Sequence, residues 1–416
     1  MAALELPTYD VAAIKADFPL LERIQAGRKI VFLDSAASSQ RPRSVLAAMD
    51  DYYETTHANV HRGVYAIAEE ATHRYELGRL AAGRLINAPD PSREIIFAKN
   101  VTEAFNLVAY SWGRKNLQRG DVVVLTETEH HANIVPWLML KEEREIVIRY
   151  IPVGEDFRLD LTDLDEIVKD AKFVSVTAAS NVLGTITDLD PIVRAAHRAG
   201  ALVMADGAQL VPHRAVDVQA LDLDLFGYTG HKLMGPTGIG VLWARASILE
   251  SMPPFLGGGE MITDVRLDGF SANELPWKFE AGTPPIAESI GLGAAIAYLE
   301  TVGIDRITAH EIQLTDYALY ALTESFPEIE IFGPPAGAER RGGVISFKFG
   351  DIHPHDVAQV LDQHGVCVRA GHHCAKPLMR RLSVNATTRA SLYLYNDEHD
   401  VDALVVALGE VRKMFG

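Results

Sequence analysis

Residues 223–243 read LDLFGYTGHKLMGPTGIGVLW. One hydrophobic run ends in Thr229, Gly230, His231 and Lys232, and a second resumes at 238–244. Each run has the length and content of a short buried strand. A single lysine held between two such strands, among glycines and hydroxyls, leaves two readings open. Lys232 is a solvated or salt-bridged lysine, or it anchors something that binds at the strand ends.

The same kind of run recurs upstream, in EIIFAK (94–99), DVVVLTE (121–127), EIVIRYIPV (145–153), FVSVTAAS (173–180) and ALVMAD (201–206). Helical patterns at 101–113, 133–143, 160–170 and 189–199 separate the runs. This alternation predicts a layered α/β domain with a mainly parallel or mixed sheet, covered by helices on both faces. Before it, YDVAAIKADFPLLERIQAG reads as one or two short helices ending at Gly27. After it, the Pro- and Gly-rich stretch 253–285 reads as an excursion from the core, followed by a helix at 286–300. Helical patterns at 306–325, 354–364 and 397–413 then surround the strands GVISFKF and VCVRAG, an α+β layout. The expected organisation is an N-terminal helical segment over 1–29, a large domain over 30–304 and a smaller one over 305–416.

Composition narrows the function. The 416 residues carry a formal net charge of −17, which disfavours nucleic acid as a general partner. No apolar run is long enough to span a bilayer, and no secretory signal pattern opens the sequence, so a cytoplasmic protein is expected. Only Cys367 and Cys374 are present, which rules out a disulfide framework.

In α/β folds, ligands bind beyond the carboxyl ends of the strands. The polar residues there are Asn100 to Thr102, Glu129, His130, His131, Asn181, Asp206, Gln209, Thr229, His231 and Lys232. KNVTEAFNL places a helix N-terminus directly after a strand, where free amides suit an anion. These residue types suit pyridoxal phosphate. Its aldehyde needs a lysine, its ring nitrogen a carboxylate, and its phosphate amides and hydroxyls. A phosphate-binding loop of the G-x-x-x-x-G-K-[ST] kind is absent.

A second cluster is GVCVRAGHHCAKPLMRRL, 365–382. Cys374 stands among Arg369, His372, His373 and Lys376, a basic setting that favours a reactive sulfur, although an inert loop thiol has the same sequence. A metal set of Cys367, His372, His373 and Cys374 has poor spacing, and no metal is expected. Cys367, between two valines, reads as a buried strand residue.

Several blocks then converge: VFLDSAASSQRP, HANVHRGVY, TEHHANIVPW, SNVLGT, ADGAQ, GYTGHKLMGPTGIGVL, FEAGTP, RAGHHCAKPLM and RASLYLYNDEHDVDALV. Together, over nearly the whole chain, they resemble the SufS-type cysteine desulfurases, fold-type I pyridoxal-phosphate enzymes of the aminotransferase class V group. The resemblance implies a large domain with a mixed, mainly parallel seven-stranded sheet, and a small C-terminal domain carrying the catalytic cysteine. It implies that Lys232 carries the cofactor and moves the substrate proton. Asp206 would face the ring nitrogen, His130 the ring face and Gln209 the ring oxygen or Schiff-base side. Thr102, Thr229 and His231 would hold the phosphate, joined by Thr283 of a second subunit, hence a homodimer. Arg389 and Asn181 would bind the carboxylate of L-cysteine, with Arg369, His61 and Arg62 near the nucleophile Cys374. The stretch 253–277 resembles the hairpin insert of this group, and the cysteine loop its short, ordered form. His355 in DIHPHDV resembles a histidine that engages a zinc-bearing acceptor. That favours a SufU-like over a SufE-like sulfur acceptor, within a Suf scaffold system for iron–sulfur cluster assembly. A selenocysteine lyase, a cysteine sulfinate desulfinase or a desulfurase of another thio-cofactor pathway shares these motifs.

Overall fold

The structure is a computed structural model and describes residues 9–25 and 27–415. Its largest sheet has seven strands: β1 (Ile95–Ala98), β2 (Val122–Thr126), β3 (Val147–Ile151), β4 (Ala171–Thr177), β5 (Leu202–Asp206), β6 (Leu225–Thr229) and β7 (Gly240–Ala244). Their order is β1-β7-β6-β5-β4-β2-β3. β7 runs antiparallel to both neighbours, and the other pairings are parallel. β2, β6 and β7 are buried at every position, because helices cover both faces. Val, Ile and Phe suit such strands, since their side chains pack well on a pleated surface. Burying each large apolar side chain stabilises the fold by ~1.5–3 kcal/mol.

One core face includes Val176, Phe226 and Val241, the other Val123, Leu225 and Leu242. Helix α1 (Ala66–Leu85) lies on the first face with Ala68, Ala71 and Tyr75 buried, and α2 (Val101–Leu107) on the second with Ala104 and Phe105 buried. α2 follows β1 directly. Asn100 Oδ1 caps it by accepting from the Glu103 amide at 2.9 Å, and the Glu103 carboxylate accepts from the Lys99 amide at 2.8 Å. Gly240 lets β7 pass this cap. A Cβ there would lie 2.3 Å from the Asn100 backbone.

The excursion after β7 forms a hairpin, β8 (Ile262–Arg266) and β9 (Gly269–Ala272), whose residues are nearly all exposed. Helices α3 (Ile286–Val302) and α4 (Ile304–Ser325) lead to the C-terminal unit. Its four strands are β10 (Ile329–Phe332), β11 (Val344–Phe349), β12 (Arg369–Gly371) and β13 (Thr387–Ser391), in the antiparallel order β10-β11-β13-β12. With α4, α5 (Pro354–Gln363) and α6 (Glu398–Phe415) they enclose a separate core that includes Phe347, Leu361 and Leu404.

Three expectations shift. Ile24–Gln25 pairs antiparallel with Arg28–Lys29 where a helix end was expected, and Gly27 takes φ 77°. The segment 160–170 keeps one helical turn, Leu164–Ile167, because Asp160 bonds the Thr162 amide and hydroxyl, a turn-forming competitor to the helix. VCVRAG divides: Val366–Cys367 pairs in parallel with Val31–Phe32, while Arg369–Gly371 joins the small sheet.

Candidate active site

A cavity of about 180 Å³ opens where β4, β5 and β6 end and α2 begins. Lys232, Asp206, Gln209, His130, Thr102, Thr229, His231, Asn181, Arg369 and Arg389 all line it. Ten residues dispersed over nearly three hundred positions thus share one wall.

Lys232 closes a single 3-10 turn, Gly230–Lys232, immediately after β6. The turn is pinned on both sides. The Gly230 amide donates to the Ile239 carbonyl at 3.0 Å. Ser39 clamps the other side, donating its amide to the His231 carbonyl at 3.1 Å and accepting the Met234 amide at 2.8 Å. Lys232 Nζ makes no hydrogen bond or ion pair among the described residues. Burial drives its pKa down to about 8, against the upward pull of Asp206, and Arg389 and Arg369 push it lower still. Lys232 is half-buried on the cavity wall and unpaired among the described residues, which fits neither a surface lysine nor a salt-bridged one.

Asp206 ends β5 and is buried. One carboxylate oxygen accepts from the Ala208 amide at 2.9 Å, and the other has no partner among the described residues. Burial raises its pKa, while the Ala208 amide and Lys232 act in the opposite sense. Gln209 donates from Nε2 to the Ala36 carbonyl at 2.8 Å, but its buried Oε1 has no partner among the described residues. His130 accepts from the Ala132 amide on Nδ1 at 3.1 Å, and burial, reinforced by Lys232, drops its pKa to about 3. A neutral, flat ring therefore faces the cavity. His231 is likewise held neutral, its pKa lowered to about 4 by burial and by Lys232 and Arg41. An uncommitted amine, carboxylate oxygen and amide oxygen converge on one space, with Thr102, Thr229 and the α2 N-terminus at its rim. Unmet polar groups in a buried setting call for a ligand, and this donor set fits pyridoxal phosphate.

Arg389 is fully buried on β13. It donates to the Asn181 carbonyl at 3.0 Å and to Asp34 Oδ1 at 2.9 Å. Burial lowers the Arg389 pKa and raises that of Asp34, and their mutual attraction opposes both shifts. Asn181 in turn donates from Nδ2 to the His373 carbonyl at 2.6 Å, linking the carboxylate-binding candidates to the cysteine loop.

Cys374 follows β12 in a turn where His373 and Cys374 both take left-handed conformations, at φ 49° and 57°. Side chains other than glycine adopt that region at a cost, and such strain gathers at functional sites. His373 is buried, with Nε2 2.8 Å from Thr387 Oγ1, and burial lowers its pKa to about 3. The Cys374 sulfur lies 3.6 Å from an Arg369 nitrogen that points to it. The His131 amide donates to the Cys374 carbonyl at 2.8 Å, and the Lys376 amide donates to His131 Nε2 at 3.0 Å. These bonds tether the loop beside the cavity.

Four expected residues stand apart from the cavity of their own chain. Thr283 is exposed on a separate cavity bordered by Lys99, Glu103 and Glu288. His61 bonds Glu76 at 2.9 Å, and Arg62 pairs with Glu260 at 2.8 Å. His355 is exposed in the first turn of α5, its ring edge-on to His353 at 5.1 Å. The metal set weighed from sequence does not assemble, because His373 turns inward and Cys367 lies in another strand. His131, His372 and Cys374 instead bring one possible ligand atom each within 4.8 Å. Both histidines there already spend a nitrogen lone pair on a backbone amide, that of Lys376 or of Cys374.

Residues 31–404 match the family model for aminotransferase class-V. The chain belongs to the aminotransferase class-V family. A curated relative from Streptomyces coelicolor, named "Probable cysteine desulfurase", is 51% identical over 413 residues, covering 98% of each chain. A cysteine desulfurase of Haloferax volcanii is 45% identical over 419 residues, again covering 98% of each. Among solved structures, the apo form of a cysteine desulfurase from Thermococcus onnurineus NA1 superposes with a TM-score of 0.91 at 38% identity, covering 100% of both chains. The architecture is fold-type I, with a smaller C-terminal domain, and family and fold together imply a pyridoxal phosphate cofactor.

Within this class-V framework, sequence reading left three supporting residues without a role. Asp34 orients Arg389, and Ser39 clamps the lysine turn. Glu129 is wholly buried, accepting from Thr126 Oγ1 at 2.7 Å, Asn133 Nδ2 at 2.7 Å and the Thr177 amide at 2.6 Å. It braces the turn that presents His130. VFLDSAASS contains the signal for the first two, polar residues packed just after a strand. Glu129 stood among the strand-end residues without an assigned task.

Proposed function

We propose that the protein is a homodimeric, pyridoxal-phosphate-dependent cysteine desulfurase of the SufS type, acting in the cytoplasm. It converts L-cysteine to L-alanine and leaves the sulfur as a persulfide on Cys374, from which an acceptor protein takes it for iron–sulfur cluster assembly. The observation that carries this reading is the Cys374 sulfur beside Arg369, itself a wall residue of the Lys232 cavity. The names of the full-length relatives support it.

When bound, the cofactor supplies an electron sink for the pair left at the substrate Cα. Lys232 would hold its aldehyde carbon, Asp206 its ring nitrogen, His130 its ring face and Gln209 its ring oxygen. Thr102, Thr229 and His231 would hold the phosphate, with Thr283 from the second subunit. An amine with a pKa of about 8 suits Lys232 to take a Cα proton and return it near neutral pH. Arg389, held by Asp34, would bind the substrate carboxylate together with Asn181. Cys374 attacks the substrate sulfur, so a sulfur–sulfur bond forms and the Cβ–S bond breaks. The electron pair of that bond stays on Cβ, takes a proton and gives alanine. The Arg369 guanidinium compensates negative charge at the attacking sulfur, with His61 and Arg62 nearby in the assembled site. A tethered loop cannot carry sulfur far, so the acceptor must dock. The exposed His355 is the proposed contact, favouring a zinc-bearing, SufU-like acceptor.

Alanine release from L-cysteine, selenocysteine and cysteine sulfinate tests the reading. A desulfurase needs Cys374 for L-cysteine, and Cys374→Ala abolishes that turnover. Release from the other two alone, indifferent to Cys374, would make the protein a lyase or desulfinase. Loss of acceptor stimulation in His355→Ala would support the docking contact, and undiminished stimulation would remove it.

A further inference from the structure

His61, Arg62 and Thr283 stand outside the cavity of their own chain, yet they are tied to one another through Arg79. This side chain projects from α1 and is wholly buried. Its Nη1 donates to Glu280 Oε1 at 2.7 Å and to the Ile95 carbonyl at 2.8 Å. Its Nη2 reaches Glu280 Oε2 at 2.9 Å, and its Nε reaches Glu76 Oε2 at 2.8 Å. Glu280 opens the turn that leads to Thr283, and it also accepts from the Phe97 amide and the Tyr75 hydroxyl, at 2.7 and 3.0 Å. Glu76 bonds His61 Nε2 at 2.9 Å. On the far side, Glu260 lies 3.5 Å from His61 Nδ1 and pairs with Arg62. The Gly282 amide donates to the Gly259 carbonyl at 3.0 Å, which closes the ring of segments.

This edge carries apolar side chains that water does not favour. Val64 and Tyr65, next to Arg62, are 95% and 54% exposed, and Leu267 and Phe270 of the hairpin after Glu260 are exposed too. An apolar edge rimmed by polar groups marks an interaction surface. A second copy of this chain is the occupant that the homodimer reading gives this edge, because His61, Arg62 and Thr283 stand outside the cavity of their own chain.

We propose that Arg79 is a positioning residue that sets the half-site, His61, Arg62 and Thr283, which this chain contributes to the active site of a second copy. The inference rests on the homodimeric desulfurase reading above. A fork of five N–H donors suits this place. A lysine keeps the charge but cannot serve both carboxylates and the Ile95 carbonyl together.

Mixed dimers test it. Arg79→Lys should retain the fold, judged by an unchanged far-UV spectrum, and lose on the order of 10²-fold in kcat/KM, the scale of an ångström-level misplacement. It should also lose bound cofactor on desalting, read by visible absorbance. If Arg79→Lys fails to fold, Arg79→Met with Glu280→Gln removes both buried charges and takes its place. Lys232→Ala is inactive as a homodimer. In a hybrid of Lys232→Ala with the Arg79 variant, the intact Lys232 and the intact Arg79 serve the same site from different chains. The hybrid should recover about half of wild-type turnover, one working site of two in a two-fold assembly. A hybrid as inactive as its parents would overturn the inference, and so would an active wild type that is monomeric. A wild type that turns over no cysteine sinks the functional reading instead, so the two failures remain distinct.

Discussion

His131 grips the loop of Cys374 twice. Its amide donates to the Cys374 carbonyl at 2.8 Å, and its ring Nε2 accepts the Lys376 amide at 3.0 Å. The turn after β2 thereby fixes the cysteine loop that follows β12. His131→Ala keeps the first bond and loses the second. One hydrogen bond of ~1 kcal/mol predicts a roughly fivefold fall in kcat, with the cofactor still bound. Amide hydrogen exchange over residues 372–376 should speed up. Unchanged exchange would show that the ring does not hold the loop.

Lys232 gives a pH prediction. Its pKa near 8 means that the neutral amine in the apoprotein accumulates as pH rises through that value. The rate at which apoprotein captures pyridoxal phosphate should rise with pH and inflect near 8. Asp206 pulls the lysine pKa upward, so Asp206→Asn should move the inflection to lower pH. An inflection near ~10.4, the value of a free lysine, would contradict the buried setting.

Arg389 should discriminate by geometry and not by charge alone. Arg389→Lys preserves a cation but loses the planar fork that meets a carboxylate on two donors. Charge-assisted hydrogen bonds are worth about 1.5–3 kcal/mol, so KM for L-cysteine should rise roughly 10- to 100-fold, with a smaller change in kcat. Steady-state kinetics decides this. A fall confined to kcat would move Arg389 away from substrate binding.

Glu129 should make stability depend on pH. Burial lifts its pKa to about 8, against the pull of Thr126, Asn133 and the Thr177 amide. A carboxyl whose pKa is higher in the folded state stabilises fully below its unfolded value. That contribution fades as pH rises from the unfolded value, ~4.3, through about 8. Glu129→Gln cannot lose a proton there. Between pH 5 and 8 the denaturation midpoint of the wild type should therefore fall relative to Glu129→Gln. Parallel midpoints would show that the three donors already hold the carboxylate charged.

The layered architecture was legible because β2, β5 and β7 are short apolar runs between helical patterns, and such a pattern has few other solutions. β13 was not, since TTRAS is polar in sequence although every residue of it is buried. Its burial comes from Arg389 meeting Asp34 and Asn181, and from Thr387 meeting His373. Those are long-range contacts that local periodicity does not report. Lys232, Asp206 and Cys374 could be singled out because each ends or follows a strand in a distinctive setting. The Ser39 clamp and the Arg79 network could not, because serine and arginine inside a chain carry no local mark of burial.

The most direct test of the central claim follows sulfur onto the protein. Purified protein reconstituted with pyridoxal phosphate receives L-cysteine without an acceptor, and peptides are mapped by mass while alanine is counted. The account predicts one alanine released for each sulfur gained, with the added sulfur on the peptide that carries Cys374. Cys374→Ala should keep the cofactor's colour and gain no sulfur. Alanine released by Cys374→Ala at the wild-type rate, or sulfur found on Cys367, would contradict it.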